Sequence, residues 1–190
     1  MSRLKEMYQE KIVPEFLSEN FKNKMAVPKL VKVVINVGIG KVRENEKLVE
    51  IIKNNIAAIS GQKAAIRKSK NAISGFKVRA GDEVGLTVTI RGDKMYDFID
   101  KLANVTLPRV RDFRGLNSKS FDKNGNFTLG IRENVYFPEL SHSTENIHGL
   151  EVTIVTTAKN PTDGQKLLKR LGLPFRETES TKAQNGVNNG

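Results

Sequence analysis

The alternation of apolar and polar positions predicts the strands of this chain. Segment 30–37 has valine or isoleucine at every odd position from 31 and carries Lys32 and Asn36 at even positions. Segment 84–91 alternates in the same way. A period of two puts successive side chains on opposite faces of a strand, so each of these strands has one fully apolar face. Shorter strands are predicted at 64–69, 127–131 and 150–157.

A second period, of three to four residues, predicts the helices. It runs through the first 21 residues, where Pro14 is expected to kink the helix or divide it in two. It returns at 44–60, where Gly61 supplies the end of the helix. Two further helices are predicted from Asp93 to Leu102 and at 162–171.

Strands and helices interleave with connections too varied for a regular doubly wound sheet. The predicted fold class is therefore α+β, with a largely antiparallel sheet, helices packed on one face and long basic loops. Residues 1–176 are predicted to form one domain, and the polar run 177–190 a disordered tail. The uncovered face of the sheet is expected to show five polar or charged side chains to solvent. They are Lys32, Asn36, Thr87, Thr89 and Arg91.

Charge indicates the class of partner. The 32 basic and 21 acidic side chains leave a net charge of +11, and residues 62–132 alone carry 15 basic against 7 acidic side chains. Between Lys63 and Arg79 there are six basic residues and no acidic one, whereas an ordinary solvated face mixes signs. A polyanion such as RNA is the expected partner, and a soluble protein that is merely basic is the alternative.

Several other classes are disfavoured. With no cysteine, a thiolate metal site or thiol nucleophile is excluded, and His142 and His148 are spaced unlike a helical metal pair, so neither metal nor cofactor is expected. Segment 38–41 resembles a phosphate loop, but its glycine spacing fails, and a strand-to-helix turn with glycine at positive φ is favoured over a nucleotide hydrolase. No stretch is apolar enough for a signal peptide or a membrane span, so a cytoplasmic location is expected.

Four motifs carry a family resemblance. With I-S-G-Q-K and V-T-I-R-G-D-K-M between them, which makes six in all, the four are V-I-N-V-G-I-G, S-G-F-K-V-R-A-G, L-P-R-V-R-D-F-R-G-L and L-E-V-T-I-V-T-T-A-K. In order and spacing they resemble the bacterial form of the large-subunit ribosomal protein L5 family, over residues 3–176. The resemblance implies an antiparallel sheet packed against helices, in agreement with the pattern above. It also implies a non-enzymatic structural constituent of the large ribosomal subunit.

The family binds 5S ribosomal RNA in the central protuberance beside other ribosomal proteins of the 5S particle. The resemblance implies that Asn36, Gln62 and Thr89 contact this RNA. Lys32, Lys63 and Arg91 would add charge around them. Asn36 and Thr89 are also on the face that alternation alone assigned to solvent.

Two further contacts are implied by the family. The loop matching 74–81 reaches towards the P-site tRNA elbow and neighbouring large-subunit rRNA. Its candidate residues are Ser74, Gly75, Phe76, Lys77, Val78 and Arg79. The segment matching 109–123 meets the small-subunit head protein S13 and would form an intersubunit bridge through Arg109, Arg111 and Arg114. Phe76 remains open between stacking on a base and packing in the core. A free-standing RNA chaperone or regulator of lower specificity is the alternative function.

Overall fold

Five antiparallel strands form one sheet, which confirms the predicted α+β class. The coordinates are a computed structural model that describes residues 2–19, 21–140 and 147–176. The strands are β1 (Leu30–Gly38), β2 (Ala65–Lys68), β3 (Glu83–Ile90), β4 (Phe127–Ile131) and β5 (Leu150–Thr156). Their order in the sheet is β2-β3-β1-β5-β4. The predicted tail at 177–190 and the segment with His142 lie outside the described residues.

The helices begin and end close to the predicted positions. They are α1 (Arg3–Met7), α2 (Val13–Glu19), α3 (Glu46–Ser60), α4 (Asp93–Lys101) and α5 (Pro161–Arg170). A π-helical turn, Tyr8–Ile12, separates α1 from α2 and ends just before Pro14. Because proline has no backbone N–H to continue the helical ladder, the wider turn forms at this point. The backbone stays helical through Met7, Tyr8 and Val13, so the helix is not divided in two, and the kink stays a prediction.

One face of the sheet packs against the helices. Ile35 of β1 lies opposite Val88 of β3 and Val152 of β5, and all three are buried in a core shared with α3 and α4. Each such side chain contributes about 1.5–3 kcal/mol to stability through burial. The apolar face predicted from alternation is therefore the core face of the sheet, except at Val31. That residue is 36% exposed, because the strand has a register shift between Leu30 and Lys32 that buries Leu30 instead.

The opposite face carries mostly polar residues. Residues paired across strands point to the same side of the sheet, so the pairings assign the members of this face. Asn36 pairs with Thr87 and Val34 pairs with Thr89, one register step from the core positions. The prediction that Thr87 is exposed to solvent is wrong. Thr87 is only 8% exposed, and its hydroxyl donates a hydrogen bond to the carbonyl of Ile35 at 3.2 Å. Its strand lies inside the sheet, and Asn36 and Ala65 flank this short side chain on both sides.

The stretch after residue 106, which lacks periodicity, has more structure than its pattern indicates. The α4 helix continues through a π-helical turn, Leu102–Thr106, into a 3-10 turn, Leu107–Arg109. Leu116 then bonds to the segment after α5, accepting from the backbone N–H of Arg176 at 2.9 Å. Pairing across such a separation leaves no periodic signal in the sequence.

Candidate nucleic-acid interface

The sheet face opposite the core is the larger candidate surface, and we call it the open sheet face. Strand register assigns its residues, which are Lys32, Val34, Asn36, Ala65, Arg67, Thr87, Thr89, Thr128, Glu151, Thr153 and Val155. None of these residues is aromatic. The face therefore offers hydrogen-bonding groups and charge to a ligand instead of stacking platforms.

Asn36 lies near the middle of this face, on the central strand. Its side chain is exposed, and among the described residues it has no hydrogen-bond partner. Thr89 on the next strand is likewise exposed without a side-chain partner among them. Both residues therefore keep their donor and acceptor groups available for a ligand.

Gln62 and Lys63 reach the edge of this face through the end of α3. Gly61 ends the helix at φ +64°, a left-handed conformation that favours glycine. The hydroxyl of Ser60 donates to the carbonyl of Ile56 at 2.7 Å, lies 3.0 Å from the carbonyl of Gln62 and accepts from the N–H of Gln62 at 3.2 Å. This turn holds Gln62 and Lys63 just before the start of β2, whose first residue, Ala65, lies on the open sheet face.

Basic residues surround one end of the same face. Val33 pairs with Ile90, so the register places Lys32 beside Arg91 at the position one step further along. Lys63 precedes Ala65 by two residues and is exposed. The structure thus brings Lys32, Asn36 and Thr89 to the open sheet face, with Arg91 just beyond the end of β3. It places Gln62 and Lys63 at the edge of that face.

The loop between β2 and β3 forms a second candidate surface, which we call the basic hairpin (residues 69–82). Ile73 and Val78 exchange two backbone hydrogen bonds of 2.8 and 3.2 Å, and a 3-10 turn, Ser74–Phe76, forms the tip. Phe76 is 77% exposed, so the alternative prediction that it packs in the core is wrong. Lys77 and Arg79 are exposed as well.

Arg43, in the turn between β1 and α3, anchors this hairpin. It donates a hydrogen bond to the backbone carbonyl of Lys77, and its Nη1 lies 3.7 Å from Oδ2 of Asp82. The same carboxylate accepts from the backbone N–H of Arg79 at 2.8 Å. Arg43 is a site residue that sequence reasoning missed, since its partners lie 34 residues or more further along and no motif joins them.

The glycines at 38–41 form no phosphate loop. β1 ends at Gly38, and α3 begins only at Glu46, where the side chain of Asn45 accepts from the N–H of Leu48 at 3.3 Å. A strand-to-helix turn is confirmed here. The expectation of positive φ is wrong, because neither Gly38 nor Gly40 adopts it.

A third surface follows α4. Arg109, Arg111 and Arg114 are all exposed there, and Asp112 turns the chain at φ +53°. Two of these arginines, Arg111 and Arg114, line a cavity of about 590 Å³ whose apolar wall is formed by Leu107, Val110, Phe113, Leu116, Leu129 and Ile131. Asp112 and Glu133 line the same cavity, so charged groups of both signs stand beside its apolar wall, a combination suited to contact with another macromolecule.

Residues 2–19, 21–140 and 147–176 contain no group of three or more histidine, aspartate or glutamate side chains placed to hold a metal ion. Within the same ranges, no helix has the length and apolar character needed to cross a membrane.

Comparison with known proteins gives matches along most of the chain. A family model described as "Ribosomal protein L5" matches residues 23–79, and a second model, for the C-terminus of the same ribosomal protein family, matches residues 83–175. The chain is 48% identical over 178 residues to the large ribosomal subunit protein uL5 of Geotalea uraniireducens, covering 93% of this chain and 99% of that protein. It is 49% identical over 177 residues to uL5 of Chloroflexus aurantiacus, covering 92% and 98%.

The anchoring role of Arg43 is testable by hydrogen exchange. In Arg43→Ala, the backbone amides of Ile73 and Val78 are expected to exchange about ten-fold faster, because the hairpin loses a charged hydrogen bond. Lys41→Ala is the matched control, since Lys41 is exposed in the same turn and has no partner among the described residues. Equal exchange in the two variants would show that Arg43 does not hold the hairpin.

Proposed function

Because the chain belongs to the L5 family of large-subunit ribosomal proteins, we propose that it binds 5S ribosomal RNA through the open sheet face. The protein is a structural constituent of the large ribosomal subunit and not an enzyme. The observation that carries the proposal is the unpartnered Asn36 on a helix-free sheet face, with Thr89 beside it and basic residues at one end.

The shape of this face suits folded RNA. A-form helices have a wide, shallow minor groove that displays ribose hydroxyls and base edges, and proteins recognise them mainly by shape, 2′-hydroxyl and phosphate contacts. Asn36 and Thr89 supply neutral donors and acceptors for such contacts. Lys32, Lys63 and Arg91 supply the charge that releases counterions from the phosphates. In this proposal the basic residues provide affinity, and the polar centre selects the RNA.

The central proposal predicts the behaviour of a triple variant. Asn36→Ala, Gln62→Ala and Thr89→Ala together are expected to weaken 5S RNA binding at least about ten-fold, because each lost neutral hydrogen bond contributes about 0.5–1.5 kcal/mol. The measurement is a filter-binding or fluorescence titration with 5S RNA, in the presence of bulk tRNA at equal concentration.

The matched control changes the same residue types on the helices. Gln9, Asn54 and Thr162 are exposed there, and replacing all three by alanine is expected to leave binding unchanged. Equal affinity of both triple variants would refute the residue assignment. Loss of 5S RNA to the tRNA competitor by the wild-type protein would favour a chaperone or regulator of lower specificity.

We propose that the basic hairpin contacts the P-site tRNA elbow and neighbouring large-subunit rRNA. It is held by Arg43 and presents Phe76, Lys77 and Arg79 to solvent, so its charges are ordered before any RNA arrives. An ordered contact loses less conformational entropy on binding than a flexible loop would.

Salt dependence tests the hairpin. If Lys77 and Arg79 each meet one phosphate, replacing either by alanine lowers the slope of log K against log salt by about one. The measurement is tRNA binding to the P site of ribosomes that carry the variant protein, across a range of salt concentrations. The control is Lys47→Ala, because Lys47 is an exposed residue of α3. A slope equal to that of the wild type would exclude the hairpin from the RNA contact.

We propose that the arginine segment after α4 forms an intersubunit bridge with the small-subunit head protein S13. Arg109, Arg111 and Arg114 project from a backbone that α4 and its helical extension hold in place. Their charges and the apolar cavity beside them offer both components of a protein contact, a polar rim and an apolar centre.

Charge reversal tests the bridge. Replacing these three arginines by glutamate is expected to weaken subunit association about ten-fold or more, since like charges placed across an interface are strongly unfavourable. Sedimentation of ribosomes at limiting magnesium measures the association. The control reverses three exposed lysines on the helices, Lys47, Lys94 and Lys169. Equal association of the two variants would contradict the bridge.

These assignments set the location and the partners. The protein resides on the ribosome, and we propose the cytoplasm as its compartment. Its partners in this proposal are 5S rRNA, large-subunit rRNA, P-site tRNA, the other ribosomal proteins of the 5S particle and the small-subunit head protein.

A further inference from the structure

One acidic side chain lies on the open sheet face, next to Asn36. Glu151 of β5 pairs with Asn36 of β1 on one side and with Gly130 of β4 on the other. Directly paired residues have Cβ atoms about 4.5–5.5 Å apart, so the two side chains leave the sheet at neighbouring positions. The carboxamide oxygen of Asn36 is turned towards Gly85 of β3, 3.8 Å from a Cβ atom built on that glycine. Glu151 is exposed, and its carboxylate has no ion pair or hydrogen bond with the side chain or backbone of any other described residue.

This placement is unfavourable for a surface that only attracts phosphates. Two like charges 4 Å apart repel by about 1 kcal/mol in bulk water and by more where the dielectric constant is lower. The protein carries a net charge of +11, yet no described cation, Arg132 of the neighbouring strand end included, forms an ion pair with this carboxylate. An unneutralised carboxylate at the centre of the face needs another explanation.

The sheet leaves room for a ligand beside this carboxylate. Gly130 has no side chain, and a Cβ atom built on it would meet nothing within 4 Å. The same holds for Gly38, two residues beyond Asn36 on the central strand. Both glycines lower the surface next to the pair formed by Asn36 and Glu151, so an RNA group has space to approach the carboxylate oxygens.

We propose that Glu151 is a specificity-determining residue of the RNA interface, whose carboxylate accepts a hydrogen bond from a donor in the RNA minor groove. The inference rests on the proposed binding of 5S RNA to the open sheet face. An ionised carboxylate only accepts hydrogen bonds, and phosphate oxygens have no proton to donate to it. The donors that an A-form minor groove displays are the ribose 2′-hydroxyl and the 2-amino group of guanine.

The pair then selects among RNA surfaces. Asn36 both donates and accepts, whereas Glu151 rejects a phosphate and takes a donor group. Only an RNA that turns a minor-groove donor towards this position gains from the carboxylate. Every other RNA is repelled, so the residue weakens unspecific binding while it strengthens binding to the correct partner.

The test compares the sign of the effect on two RNAs. Glu151→Ala is expected to lower the affinity for 5S RNA about ten-fold, because a hydrogen bond to a charged acceptor is lost, and to raise the affinity for bulk tRNA. Glu151→Gln keeps one acceptor oxygen, so its affinity for 5S RNA should fall less, while its affinity for tRNA rises as in the alanine variant. Glu50→Ala removes one negative charge from an exposed position of α3. It should not change the affinity for 5S RNA or for tRNA by a comparable factor.

Modified RNA identifies the donor. 5S RNA is prepared with 2′-deoxyribose, or with inosine in place of guanosine, at the nucleotides that the protein protects from cleavage. The modification that removes the donor should abolish the difference in affinity between the wild-type protein and Glu151→Ala, as in a double-mutant cycle. Loss with deoxyribose assigns the 2′-hydroxyl, and loss with inosine assigns the amino group. If the difference survives both modifications, the inference is wrong.

Two other outcomes would overturn it. A parallel rise in affinity for both RNAs in Glu151→Ala would show that the carboxylate only repels RNA, and unchanged affinities would place it outside the interface. Failure of the proposed function is recognised separately. In that case the wild-type protein shows no preference for 5S RNA over tRNA, and the triple variant at Asn36, Gln62 and Thr89 binds as the wild type does.

Discussion

The antiparallel pairing of β1 with β3 and β5 is the constraint on which the other features depend. It puts Ile35 into the core and Asn36 on the opposite side, with partners from both neighbouring strands aligned to the same faces. A slip of one residue would exchange the two faces, burying a carboxamide and exposing an isoleucine. The energy of the buried apolar face therefore also fixes the position of every polar group on the open sheet face.

The three surfaces use charge in different ways. On the open sheet face, Lys32, Lys63 and Arg91 stand at one end. Neutral groups and the acidic Glu151 lie towards the centre, which separates attraction from selection. On the basic hairpin, charge is concentrated at an ordered tip held by Arg43. After α4, Arg111 and Arg114 line a cavity with an apolar wall, an arrangement suited to a protein partner. A net charge alone, even one of +11, does not distinguish these roles.

Alternation was sufficient to predict the strands and to place Asn36 and Thr89 on the uncovered face, because a period of two is a local property of the sequence. It failed for Thr87, whose burial depends on neighbours from two other strands. The anchoring role of Arg43 and the position of Glu151 beside Asn36 could not be predicted either. Both depend on which distant segments meet, and this follows only from the register of the folded sheet.

The attachment of the basic hairpin has a mechanical consequence. Arg43 lies in the turn that directly continues β1, the strand that also carries Asn36. The tip of the basic hairpin is thereby attached to the turn that follows β1, so the folded protein fixes the distance between the tip and the centre of the sheet. The tip and the strand that carries Asn36 are therefore joined by the contacts of Arg43 with Lys77 and Asp82 as well as through the hairpin backbone.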